Sequence, residues 1–159
     1  MSRLKIGGYA PLFDRLAQVE DSKREVAHWL DIKQLERSVF KELIRIVQTR
    51  SRLTFPEFLN KNHLTVLDYG LPDFYGRSVQ NSDNRNEIHQ ILMKAFLFFE
   101  PRLKNIKVEH IVNSQSKGEL KFQISGDLQT DQSTEPVSFL ISSDSEFKDY
   151  SLEEQSIVS

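Results

Sequence analysis

Phe98-Phe99-Glu100-Pro101-Arg102-Leu103 divides the chain in two. Before it, apolar residues recur at helical spacing. After it, they alternate with a period of two, as in strands. Pro101 has no N–H and disfavours helical geometry at Glu100, so the helix running into the stretch stops there. A carboxylate and a guanidinium are then held at a fixed corner, beside helix carbonyls that lack intrahelical partners. Arg102 can bind those carbonyls, a nearby carboxylate or another chain. The plainer reading is an ordinary helix stop with two solvated charges.

Upstream, the pattern predicts a helix over about 85–99. Asn84 with Glu87 three residues on resembles a capping box. Ile88, Ile91, Leu92, Ala95, Phe96 and Phe99 form one apolar stripe. Leu97 and Phe98 add apolar surface on a second side, which predicts a helix buried between layers, and His89 faces away into solvent. Downstream, residues 103–112 alternate through Ile106, Val108 and His110. Leu120, Phe122 and Ile124 alternate again, with Gly126 as the expected bulge. Val137, Phe139 and Ile141 form a third strand, after turns at 113–118 and 127–135. The expected sheet is a three-stranded antiparallel meander with its apolar face toward the helices.

Toward the N-terminus, Ile32, Leu35, Val39, Leu43 and Ile46 predict a helix over about 31–49, with Asp31 as N-cap. The basic end Gln48-Thr49-Arg50-Ser51-Arg52 suits the helix dipole. Residues 9–17, opening with Pro11, read as a short helix. Residues 1–8 read as a flexible lead, 18–30 as a charged loop anchored by Trp29, and 53–63 as a connection. In Val66-Leu67-Asp68-Tyr69-Gly70-Leu71-Pro72-Asp73, a helical turn closes on Gly70 and Pro72 then extends the chain. Asp68 and Asp73 read as turn caps rather than metal ligands, because no His or third carboxylate stands at ligand spacing. The tail, 143–159, carries Asp144, Glu146, Asp149, Glu153 and Glu154 against Lys148 alone, and reads as mobile or as ordering only on a partner. Helices first and a small antiparallel sheet afterwards make an α+β fold: three main helices on a three-stranded sheet. The expected domain is 9–142.

Composition narrows the function. Lys and Arg total 21 against 23 Asp and Glu, a net charge of -2, which gives no electrostatic case for nucleic acid or an anionic membrane. There is no cysteine, so neither a disulfide framework nor a thiolate metal site is expected. No apolar run reaches membrane-spanning length, and the first residues lack the apolar core of a signal peptide. No cofactor or metal is expected. Enzyme chemistry finds little support. Glu100 is the natural candidate acid at an apolar border, but a glycosidase needs a second carboxyl about 5–9.5 Å away, and Arg102 beside it would lower its pKa rather than raise it. No serine stands in a nucleophile-elbow context.

Three motifs together, Leu12-Phe13-Asp14-Arg15-Leu16, residues 66–73 and Phe99-Glu100-Pro101-Arg102-Leu103, resemble in order and spacing the TssE family. These are baseplate wedge subunits of bacterial type VI secretion, related to the small wedge protein of contractile phage tails and sometimes labelled lysozyme-like. The resemblance covers about residues 9–142. It departs from the family at Val47-Gln48-Thr49-Arg50, where such proteins often carry Leu-Asn-Thr-Arg. The resemblance implies a noncatalytic cytoplasmic protein in a baseplate docked at the inner membrane. It implies docking on TssF and TssG through Glu100, Pro101 and Arg102, indirect contact with TssK, and a sheet that templates the sheath proteins TssB and TssC. The edge strand of Val137, Phe139 and Ile141 then suits strand addition. The alternatives are a peptidoglycan hydrolase, a phage tail wedge protein, and an adaptor that uses only its sheet edge.

Overall fold

The computed structural model describes residues 7–9, 29–74, 77, 81–111 and 121–142. Strand β1 (Gly7–Tyr9) pairs antiparallel with β2 (Trp29–Asp31), and β2 runs directly into helix α1 (Ile32–Gln48). Gly7 and Gly8 are therefore part of a strand rather than a free lead, and Tyr9 ends that strand instead of opening a helix. The expected helix over residues 10–17, the loop over 18–28, the turn at 113–118 and the tail lie outside the described residues.

Asp31 caps α1 as expected. Its carboxylate accepts from the Gln34 N–H at 2.8 Å, and the Gln34 side chain accepts from the Asp31 N–H at 3.0 Å. Both are donors that a helix start otherwise leaves unpaired. The stripe of Leu35, Val39, Leu43 and Ile46 is buried, and each such side chain contributes about 1.5–3 kcal/mol through water exclusion. The segment expected as a plain connection contains a second helix, α2 (Phe55–Asn60). Its start has a local signature: Thr54 and Glu57 form a capping box, and Pro56 occupies the first turn. A 3-10 turn follows at Val66–Asp68, and Gly70 takes a φ of 99°, as a turn closing on glycine requires.

Helix α3 (Ser82–Phe99) begins one turn earlier than the capping-box reading placed it. Asn81 is the N-cap and accepts from the Asp83 N–H at 2.9 Å, while Glu87 pairs with Arg77 instead. The predicted stripe is buried from Ile88 to Phe96 and partly buried at Phe99, but the second side is not: Leu97 is 50% and Phe98 39% exposed. The sheet covers only one side of α3. On the other, Phe98 meets the His63 ring edge-on at 6.1 Å. His89 is exposed as expected, yet its Nε2 lies 2.9 Å from the Val108 carbonyl and ties α3 to the sheet.

The sheet is an antiparallel meander of β3 (Leu103–Ile111), β4 (Lys121–Gln129) and β5 (Thr134–Ser142), with β4 in the middle. Its inner face presents Ile106, Val108, Ile124, Leu128, Val137, Phe139 and Ile141, all buried. Helix α3 packs along β3 and α1 along β5, where Phe40 stacks on Phe139 at 5.8 Å. Gly126 is not itself the bulge. It stands opposite one: Lys104 pairs with Asp127 and Lys107 with Ser125, so Asn105 and Ile106 share the space across from Gly126. Asn105 takes a φ of 50°, and a Cβ on Gly126 would lie 2.8 Å from the Lys104 carbonyl oxygen. The glycine makes room for the kink in its neighbour. Among the described residues the fold is α+β, with the three helices α1, α2 and α3 and a three-stranded antiparallel sheet.

Candidate functional site

The corner at 100–102 is a closed ionic latch. Glu100 caps α3, its N–H donating to the Phe96 carbonyl at 2.9 Å, and it is only 1% exposed. Both carboxylate oxygens are taken by Arg102: Nε donates to Oε1 at 2.7 Å and Nη2 to Oε2 at 2.6 Å. This two-pronged pairing is the strongest form of charge-assisted hydrogen bond. The Arg102 backbone N–H reaches the same Oε1 at 3.2 Å, and Nη1 donates to Ser38 Oγ on α1 at 3.0 Å. Pro101 is exposed at the apex. Beyond it, the Arg102 carbonyl accepts from the Gln129 N–H at 2.9 Å, which fastens the start of β3 to the end of β4. The two charges are thus not a solvated helix stop, because each is spent on the other.

A second latch holds the turn at 66–73. Asp68 is fully buried. Lys61 Nζ donates to Oδ2 at 2.7 Å, and the Thr65 N–H and hydroxyl donate to the same oxygen at 2.8 and 2.9 Å. Arg52 Nε and Nη2 both donate to Oδ1 at 3.2 Å. The hydrogen bond from Lys61 is the largest of the causes that hold the Asp68 carboxyl well below the usual carboxylate range. Asp68 is therefore a turn cap, as its sequence context suggested, and also an ion-pair centre, which the sequence did not show. Arg52, read from sequence as helix-end charge, belongs to it. Next to it, Gly70 lies against the end of α1: a Cβ there would sit 2.4 Å from the Thr49 carbonyl oxygen, which itself accepts from the Leu71 N–H at 2.9 Å.

Helix α1 grips both motifs with residues one turn apart. Ser38 holds Arg102, and Glu42 accepts from the Tyr69 hydroxyl at 2.6 Å. Burial, reinforced by the bond to Glu42, pushes the Tyr69 phenol above its ordinary pKa, so it stays protonated and donates. The Tyr69 ring meets the Phe99 ring at 5.0 Å, which joins the two latches. A fourth cation works inside the fold. Lys94 of α3 donates to the carbonyls of Phe58 at 2.8 Å and Leu59 at 3.0 Å, and to that of Lys61, capping the end of α2.

The sheet-edge residues occupy a different place. Val137, Phe139 and Ile141 point into the core, so what the edge of β5 can offer is backbone, together with the outward Leu140, 48% exposed. The structure therefore does not bring the two groups of predicted site residues into one site. Ser38, Glu42, Lys61 and Lys94 were not legible as partners. Only Ser38 carried a signal, as a polar residue inside an apolar stripe. No group of three or more His, Asp or Glu among the described residues could hold a metal ion. No helix of the described residues is long and apolar enough to cross a membrane.

A small α+β scaffold whose two buried carboxylates lock its turns by ion pairs suits a structural building block. The chain belongs to the family described as baseplate wedge protein gp25, whose model it matches over residues 33–133. That membership supports a structural role in a baseplate, among other baseplate proteins. The matched span runs from the first turn of α1 to the turn before β5, and contains both latches. Comparison with curated proteins found no match, and comparison with solved structures found none.

Proposed function

We propose that the chain is a noncatalytic wedge subunit of a type VI secretion baseplate, docking on TssF and TssG through the 100–102 corner. The observation that carries this is the latch itself. An exposed proline is fixed at an apex by a buried ion pair, beside the half-exposed Leu97 and Phe98. A pre-set surface loses little entropy when it docks. In this reading Glu100 and Arg102 act first by holding the apex in shape, and Arg102, with its side chain 21% exposed, adds a charge-assisted contact to the partner. Through TssF and TssG the subunit is linked to TssK. The β5 edge faces the sheath and templates TssB and TssC in a cytoplasmic baseplate docked at the inner membrane. A contractile phage tail wedge would use the same surfaces. The geometry disfavours the hydrolase reading, because both Glu100 oxygens are engaged by Arg102 and the carboxyl is closed off from substrate.

The test is co-purification with TssF and TssG from the same bacterium. Arg102→Ala alone is ambiguous, since it also strands a buried carboxylate. The informative variant is the apolar pair Glu100→Leu/Arg102→Met, which removes both charges and leaves no unpaired ion. Loss of binding by this variant, with circular dichroism unchanged, is the expected result. Binding equal to wild type would show that the corner does not dock by charge.

A further inference from the structure

The exposed side of α1 carries Lys33, Arg37, Lys41 and Arg45, each four residues from the next and so stacked in one row along the helix. Like charges at this spacing destabilise a helix, and Lys33 sits in the first turn, where the dipole also opposes it. The first turn holds no acidic residue to offset it. Local partners neutralise only part of the row. Arg45 pairs with Glu42 at 3.2 Å, and Lys33 is drawn to Glu36. Among the described residues, Arg37 and Lys41 are exposed and have no ion pair. Apart from Arg45, which pairs with the Glu42 that holds Tyr69, the row takes no part in either latch.

The rest of the chain contains its electrostatic complement. Residues 143–159 hold Asp144, Glu146, Asp149, Glu153 and Glu154 against Lys148. They follow directly on β5, the strand against which α1 lies. Phe40 stacks on Phe139, and the fields of Glu36 and Glu135 meet one helical turn earlier, so helix and strand run in the same sense. Lys41 is next to Phe40 in the chain, and Ser142 lies three residues beyond Phe139. At about 3.3 Å per strand residue against about 1.5 Å per helix residue, the end of β5 is level with the last turn of α1, at the Arg45 end of the row. Helix α1, with 17 residues, is about 25 Å long. An extended segment of the tail's length spans up to about 60 Å, so its reach covers the whole row.

We propose that the cationic row of α1 is the seat of the chain's own acidic C-terminal segment, residues 143–159, which docks there in the free subunit by charge complementarity. This goes beyond the wedge reading and does not depend on it. The contact is long-range, exposed and salt-sensitive, since both sides lie at the surface. It covers a basic face that would otherwise be open to any acidic protein.

The chain has no cysteine, so Ser156→Cys gives a single attachment point for a nitroxide on the full chain. At low ionic strength the label should broaden the amide signals of Arg37 and Lys41, independently of protein concentration. The broadening should be lost at about 1 M salt, where the Debye length falls to about 3 Å. It should be lost equally in Arg37→Glu/Lys41→Glu and in Glu153→Lys/Glu154→Lys, the second of which leaves α1 untouched. Unaffected α1 signals at low salt would overturn the proposal. So would broadening that survives both double variants, or that grows with protein concentration and so places the tail on a second copy.

Discussion

At the scale of single residues, the two buried carboxylates determine how the chain responds to change. Arg102→Ala leaves Glu100 buried at 1% exposure with its two best donors gone. Breaking a buried pair on one side costs about 3–5 kcal/mol, and urea denaturation should show a loss of that order. Replacing both partners by apolar residues should recover most of it. Asp68 gives a pH signature. Its carboxyl titrates well below the ordinary range in the folded chain, so the folded state binds fewer protons than the unfolded state wherever unfolded carboxyls begin to protonate. The stability it contributes is fully present above an unfolded value near ~3.9 and is lost as pH falls toward the depressed folded value. Thermal melts of wild type and Asp68→Asn should therefore differ most above pH ~5, with a gap that narrows steadily as pH falls below ~4 toward the depressed folded value. A constant gap across that window would assign the role of Asp68 to packing rather than charge. Gly70→Ala meets both a positive φ and the Thr49 carbonyl, and strain of this kind costs at least about 1–3 kcal/mol by the same urea measurement.

Among the elements, α2 is the one whose stability depends most on a distant residue. Six residues are too few for a helix to persist alone, and its last carbonyls are held by Lys94 from α3. Lys94→Met keeps the stem but removes the ammonium, leaving those carbonyls without their donor at about 1–3 kcal/mol. Hydrogen exchange of amides in 55–61 should accelerate more than that in α1 or the sheet, which marks a local opening rather than global loss. The same dependence explains why α2 was not legible as a helix. Its box of Thr54, Pro56 and Glu57 was a local start signal, but six residues show no periodicity. What stabilises them lies 33 to 36 positions away. Elements that carry their own signal were found, because α1, α3 and the three strands each have a stripe or an alternation long enough to count, but their ends shifted: α3 starts at Ser82, and β4 and β5 run into the expected 127–135 turn, to Gln129 and from Thr134. The corner at 100–102 was legible because proline acts on its immediate neighbours. That its charges face inward was not, because Ser38 approaches from 64 positions away. Leu97 and Phe98 misled for the opposite reason: apolar character alone does not say which side of a helix the sheet will cover.

For the molecule as a whole, the question is which of its surfaces can join a larger assembly, and the hydrogen-bond register of the sheet answers part of it. The Thr130 N–H donates to the Ser133 carbonyl at 2.9 Å, so the pair closing the β4–β5 turn is a bonded one. Bonded and non-bonded pairs alternate along an antiparallel ladder. With Gln129 opposite Thr134 and Asp127 opposite Pro136, both of these pairs are non-bonded, and Pro136 turns its missing N–H away from β4. By the same alternation the N–H groups of Ser138 and Leu140 point to the outer edge, where no strand among the described residues takes them. Phe139 and Ile141 point theirs inward. The edge can therefore be closed without touching the fold. Ser138→Pro removes an outward donor and should stay within about 1 kcal/mol of wild type, whereas Phe139→Pro breaks a ladder bond and a core contact and should unfold the chain. If β5 receives a strand from the sheath, folded Ser138→Pro will fail to co-sediment with TssB and TssC while still binding TssF and TssG. Glu100→Leu/Arg102→Met will do the reverse. Co-sedimentation of Ser138→Pro at the wild-type level would move the sheath contact off this edge, to the outward faces of the strands.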